Sequence, residues 1–162
     1  MPLVEGERKP IRFVQTEFDE FDGAFSPDGK WIGYTSDETG RFEVYLQAFL
    51  GGNAQAPRAK WQVSTKGGSR LRWRRDGKEL YYVAPDGDLM SVPVKTDPTL
   101  VAGAPKKLFH TGISDSFSSS NNISGFAVAA NGQRFLIDAP LGEQIPAPIT
   151  VMLNWTAGLK RQ

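Results

Sequence analysis

The stretch Gly23-Ala-Phe-Ser-Pro-Asp-Gly-Lys-Trp-Ile-Gly-Tyr-Thr-Ser36 sets two short apolar runs on either side of a Ser-Pro-Asp-Gly turn. Pro27 presets φ at the second turn position, and Gly29 accepts the left-handed conformation at the fourth. Together they specify a type I turn running into a hairpin bulge. The flanking runs are β-branched or aromatic, of strand length, and lack a 3.6-residue period. The stretch reads as a β-hairpin.

Two further segments align with it. Leu71-Arg-Trp-Arg-Arg-Asp-Gly-Lys-Glu-Leu-Tyr-Tyr-Val-Ala84 carries Asp76-Gly77 at the turn, and Phe126-Ala-Val-Ala-Ala-Asn-Gly-Gln-Arg-Phe-Leu-Ile-Asp-Ala139 carries Asn131-Gly132. The turn glycines recur roughly every 50 residues, within the range of propeller blades. Each unit continues alike. A polar turn (Asp37 to Gly40; Pro85 to Asp88) leads to a third strand, Phe42 to Phe49 or Leu89 to Val94. A looser connection leads to a fourth, Trp61 to Thr65 or Lys107 to Thr111. Four antiparallel strands per unit, with no helical segment of useful length, is the pattern of a β-propeller blade.

The expected fold is therefore an all-β propeller, with blades over 21–65, 68–111 and 123–155 and a polar tail over 156–162. The third blade shows its first strand (Gly125 to Ala129), second (Arg134 to Asp138) and third (Ile149 to Trp155), but no outer strand. An orphan strand at the other end, Pro10-Ile-Arg-Phe-Val-Gln-Thr16, resembles the missing one. Propellers close with roughly four to eight blades. Three blades per chain thus predict a six-bladed ring formed by a twofold homodimer, each orphan strand completing the partner's last blade. The alternative is that the chain is a piece of a longer propeller.

Composition narrows the function. Of 162 residues, 19 are Lys or Arg and 18 are Asp or Glu, so no global field recruits nucleic acid or an acidic membrane. The absence of cysteine removes disulfides, thiolate nucleophiles and Cys-ligated zinc. Met1 to Pro10 shows no apolar signal-peptide core. No run approaches the roughly 18 apolar residues needed to span a bilayer. No membrane insertion is expected.

Phe25-Ser-Pro-Asp-Gly-Lys-Trp-Ile-Gly-Tyr-Thr-Ser-Asp37, continuing to Phe42-Glu-Val-Tyr45, resembles the WD-like repeat of TolB-type propellers. Trp61-Gln-Val-Ser-Thr65 with Leu71 to Tyr82 is similar to a subgroup fused behind bacterial serine/threonine protein kinases. Pro148-Ile-Thr-Val-Met-Leu-Asn-Trp-Thr-Ala-Gly-Leu-Lys160 resembles the extreme C-terminus of those proteins. The resemblance implies a C-terminal sensor or interaction domain, placed on the periplasmic or extracellular side. It carries over no catalytic residue. The glycine-rich phosphate loop, His-Arg-Asp and Asp-Phe-Gly of a kinase are all missing from this sequence.

The candidate ligand-binding residues lie on the first strand of the second unit. Arg70, Arg72 and Arg74 alternate with Leu71 and Trp73, so the arginines share one face. If that strand lines the channel, they offer bidentate donors to a carboxylate or phosphate. Structural pairing with Asp22 and Glu20, at nearly equivalent positions of the first unit, is the competing reading. His110 is the single histidine, on an outer strand with no Gly-x-Ser-x-Gly elbow in the chain, so no catalytic residue is assigned. Asp19, Glu20 and Asp22, and Asp86 with Asp88, lack calcium-loop spacing and read as solvated turn carboxylates. Neither a metal nor a cofactor is expected. Trp31, Phe42, Tyr45, Trp61, Tyr81, Tyr82 and Trp155 read as packing between blades rather than a sugar platform. Ser116 to Asn122 reads as a polar surface loop.

These observations point to a non-catalytic scaffold that recognises a protein or peptide. A propeller-type hydrolase or lactonase-like enzyme is the alternative, with the single histidine against it. A structural piece of a larger propeller is the other.

Overall fold

The computed structural model describes residues 12–49, 59–96, 99–113 and 125–138. They form three antiparallel sheets. The first is β1 (Glu20–Phe25), β2 (Trp31–Ser36), β3 (Glu43–Ala48) and β4 (Lys60–Gln62), adjacent in chain order. The second repeats that meander with β5 (Ser69–Trp73), β6 (Glu79–Val83) and β7 (Asp88–Lys95). Both β8 (Val101–Ala102) and β9 (Lys106–His110) pair with the outer edge of β7. The third sheet is the hairpin of β10 (Phe126–Val128) and β11 (Phe135–Ile137).

The three hairpin turns are copies in detail. Gly29, Gly77 and Gly132 have φ of 70°, 71° and 70°. Each glycine amide donates to the carbonyl three residues back, on Ser26, Arg74 and Ala129, at 2.8, 2.9 and 2.8 Å. Asp28, Asp76 and Asn131 each accept, through Oδ1, the amide two residues on, at 3.1, 3.0 and 3.0 Å. The Asx side chain thus rebuilds one turn bond that the backbone leaves open. This is why Asn131-Gly132 serves without the proline of the first turn.

Side-chain alternation sorts the sheets into layers. Trp31, Val44 and Leu46 of the first sheet meet Leu71, Leu80, Tyr82, Val92 and Val94 of the second. Tyr81, Val83 and Leu89 point the other way and pack on Ile113 and Phe126, with Val128, Phe135 and Ile137 of the third sheet at the margin. Because the second sheet is covered on both faces, Leu80–Val83 is a continuous buried run rather than an alternating one. The aromatic residues serve this packing. Trp31 and Trp61 meet edge to face at 5.3 Å, and Tyr81 and Phe135 at 5.1 Å. Gly33 lies where a Cβ would come within 2.9 Å of Leu71 Cδ1, so the first two sheets are in close contact there.

The connection from β4 to β5 is fixed by a carboxylate. Glu43 is fully buried; it accepts from Arg41 Nε at 2.9 Å, from the Gly67 amide at 3.0 Å and from the Ser64 hydroxyl. Gly67 itself has φ of 92°, and a Cβ there would sit 2.4 Å from Pro85 Cγ.

Two features depart from expectation. The outer edge of β7 carries two short strands instead of one, and Pro93 explains the division. Val94 donates its amide inward to Lys78 O, so position 93 faces outward, where proline has no N–H to give. β9 accordingly pairs with Asp88–Ser91 and β8 with Val94–Lys95, on either side of the gap. The second departure is the orphan strand over 10–16: its described residues, 12–16, form no strand. Instead Phe13 and Val14 lie against the outer face of the first sheet, with the Phe13 ring 6.5 Å from that of Tyr34. The expected third strand at 149–155, the tail over 156–162 and the Ser116 to Asn122 loop lie outside the described residues.

Candidate functional site

The first strands β1 and β5 share an irregularity that positions the candidate residues. Their ladders slip between Phe21 and Ala24, and between Ser69 and Arg72. Inside each bulge a non-glycine residue is left-handed: Asp22 at φ 57° and Arg70 at φ 56°. Such a conformation costs of order 1–2 kcal/mol for an L-residue other than glycine, so tertiary contacts must hold it. Asp22, Arg70 and Gly125 each stand seven residues before their unit's turn glycine. A Cβ on Gly125 would lie 3.1 Å from Arg70 Cδ, so the third sheet closes directly over that side chain.

Of the sequence candidates, Asp22, Arg70 and Arg72 come together. Arg72 Nη1 pairs with Asp22 Oδ1 at 3.1 Å and donates to Leu71 O at 2.6 Å. Its guanidinium lies 5.8 Å from the Phe126 ring centroid. One side chain thus links the first strands of all three sheets. Burial pushes the Asp22 carboxyl above its ordinary value; the Arg72 charge and hydrogen bond, the Leu71 amide and the Arg70 charge act against that shift. Asp22 Oδ2 is buried with no hydrogen-bond partner. Structural pairing accounts for Arg72 as it stands.

The structure does not bring Arg74 to this group. Its guanidinium grips Asp76 through two bonds of 2.7 and 2.9 Å and reaches Glu79 at 2.5 Å. Glu79 also accepts from Tyr81 OH at 3.0 Å and Ser91 Oγ at 2.5 Å. The third sheet's turn rests on this cluster, since a Cβ on Gly132 would meet Arg74 Cδ at 2.7 Å. Strand alternation put Arg74 on the right face; the acidic turn two residues on then captured it. Asp22 and Arg70 were legible in the sequence as candidates, but their left-handed bulge was not, although the equal spacing to the turn glycine carried the signal.

His110 sits on β9 with Nδ1 3.1 Å from Asp88 Oδ1, while Lys107 holds Asp88 Oδ2 at 2.5 Å. Those hydrogen bonds, Lys107 first, hold the Asp88 carboxyl below its ordinary value. Among the described residues, no three His, Asp or Glu side chains gather as a metal site. Among the described residues there is no helix long and apolar enough to cross a membrane.

The outer faces of the end sheets are apolar. On the first, the described residues packed on Ile32, Tyr34 and Tyr45 are Phe13, Val14 and Phe49, and Phe25 is 54% exposed. On the third, Phe135 and Ile137 turn toward the second sheet while Leu136 points away and is 76% exposed.

No family model and no curated protein matches the sequence. A solved structure does: TolB from Acinetobacter baumannii superposes with a TM-score of 0.52 at 20% identity, over 76% of this chain and 27% of its own. The fold is that of a TolB-like β-propeller. The chain spans about a quarter of that structure's length.

All four tyrosines lie in the layers between or upon these blades, and burial raises each phenol above 10.0, Tyr81 and Tyr82 to about 12. Raised folded values favour the neutral form, so this contribution to stability is complete below pH 10 and fades as pH climbs toward 12. Alkaline titration followed by phenolate absorbance should show no tyrosine ionising near pH 10 while the near-ultraviolet dichroism of the fold persists. A reversible step at that pH in the folded chain would contradict this packing.

Proposed function

We propose that this chain is a non-catalytic binding scaffold: an arc of propeller blades that recognises a protein or peptide and is completed at its ends by a second copy of itself. Leu136, standing 76% exposed beside two strand neighbours that bury inward, is the observation that carries the reading. A propeller blade packs on both faces; among the described residues the outer face of the third sheet carries no covering layer over Leu136, and that of the first is covered only in part, by Phe13, Val14 and Phe49. Six blades from two chains would cover both. The first-strand side chains Asp22, Arg70 and Arg72 would then stand at the axis of the ring, with Arg70 and Arg72 as the cationic candidates there. The sequence resemblance to propellers behind bacterial protein kinases supports a sensor or interaction role on the periplasmic or extracellular side.

A second reading has one observation in its favour. Matching 27% of a longer propeller chain, the described blades would also fit a ring whose remaining blades belong to the same polypeptide. Light scattering on a sizing column separates the two. A mass twice that of the chain is expected, falling to the single-chain value for Leu136→Glu with its circular dichroism unchanged. A wild-type protein that stays monomeric would set aside self-completion.

A further inference from the structure

The two joints between successive sheets follow one rule, counted from each turn glycine. In the second sheet the residues six and four before Gly77, Leu71 and Trp73, and three and five after it, Leu80 and Tyr82, turn back onto the first sheet. In the third, the same four positions around Gly132 are Phe126, Val128, Phe135 and Ile137, and they turn back onto the second. The residue four after the glycine points forward instead. Gly33 receives Leu71, whose Cδ1 would lie 2.9 Å from a Cβ there, and the Tyr81 ring meets that of Phe135 at 5.1 Å. Each sheet therefore has a receiving face and a forward face.

Among the described residues one face of each kind is left over. The third sheet presents its forward residue Leu136, 76% exposed, and the first presents a receiving face at Gly23, Phe25, Ile32 and Tyr34. That face lacks a side chain where Leu71 and Phe126 fill the other two: nothing lies within 4 Å of a Cβ on Gly23. A hollow of about 340 Å³ opens there, with Phe13 and Val14 forming part of its wall. The sizes are reciprocal. Between the first two sheets the forward residue is Gly33 and the receiving one Leu71; on the end faces the forward residue is Leu136 and the receiving one Gly23. Exchanging large for small across a joint keeps the packed volume constant. We propose that Leu136 of one copy enters the hollow over Gly23 of a second copy, making a third joint like the two within the chain. The occupant is a second copy because the face that fits is this chain's own forward face. The contact joins unlike surfaces, so two copies close by making it twice. The inference rests on the self-completion reading above and names its joint.

The test is light scattering on the full chain with two single variants, alone and mixed. A side chain has room at position 23 in the single chain, and Leu136 is exposed, so both variants should keep the wild-type circular dichroism. Gly23→Leu fills the hollow, and Leu136→Ala withdraws its occupant. Each alone should weaken the dimer about a hundredfold or more and run at single-chain mass. Mixed in equal amounts they should recover twice that mass, since each joint of the mixed pair again sets one leucine against one small residue. A variant that had merely misfolded would not be rescued in this way. A wild-type dimer whose mass survives either substitution would overturn this joint while leaving self-completion through another face. Variants that dissociate alone and stay single when mixed would overturn the exchange of leucine for glycine. A wild-type monomer would overturn both the joint and self-completion.

Discussion

Glu43→Ala should destabilise the chain by about 2–5 kcal/mol, the cost of leaving two buried donors without an acceptor at about 1–3 kcal/mol each. The carboxylate is wholly out of solvent, and three donors on Arg41, Ser64 and Gly67 converge on it. Alanine leaves the buried Ser64 hydroxyl and the Gly67 amide without an acceptor, and adds a void between β3 and the β4–β5 connection. Arg41, mostly exposed, re-solvates at little cost, so the loss lies with the two buried donors. For a chain of this size the midpoint of thermal unfolding should fall by about 10 °C. Glu43→Gln retains the shape and part of the acceptor capacity and should lose less than half as much. Urea unfolding of the three proteins decides it; a Glu43→Ala loss under about 1 kcal/mol would mean the connection is held by packing alone.

Leu71→Ala is the other large effect, expected toward the upper end of the 2–5 kcal/mol range for buried leucines. Leu71 is fully buried in the layer between the first two blades, with its methyls set against Gly33 and beside Leu46. Gly33 has no side chain to move into the space, and both flanking strands are held by ladder hydrogen bonds. The cavity therefore stays open, which is the condition that makes such a truncation costly. Denaturant midpoints at unchanged m-value would report it. A loss below about 1.5 kcal/mol would show that the blades close up and that their spacing is adjustable.

The fold was legible in the sequence wherever a local rule determined it. Asp28-Gly29, Asp76-Gly77 and Asn131-Gly132 fix their turns through the left-handed glycine and the Asx side chain, both local effects. Strands followed because apolar runs flank those turns. What escaped was set at longer range. The division of the β7 edge depends on which side of the sheet Pro93 faces, and that follows only from the register with β6. Residues 12–16 read as an outer strand because their composition suits one, yet the described segment covers a blade face instead. At the candidate site, alternation grouped Arg70, Arg72 and Arg74. It gave no hint that Asp76 and Glu79 would draw Arg74 aside. Nor did it single out Glu43, whose sequence neighbours Phe42 and Val44 say nothing of the Ser64 and Gly67 donors more than 20 residues on.

The layered arrangement has a mechanical consequence. Each blade adheres only to the one before and the one after, so cohesion sums over successive layers as in a solenoid, not over one shared core. Among the described residues the third sheet offers two short strands and a single adhesive face, whereas the second is gripped from both sides. Under tension the chain should yield from that weaker end inward, peeling one sheet at a time while the middle blade keeps its shape until last.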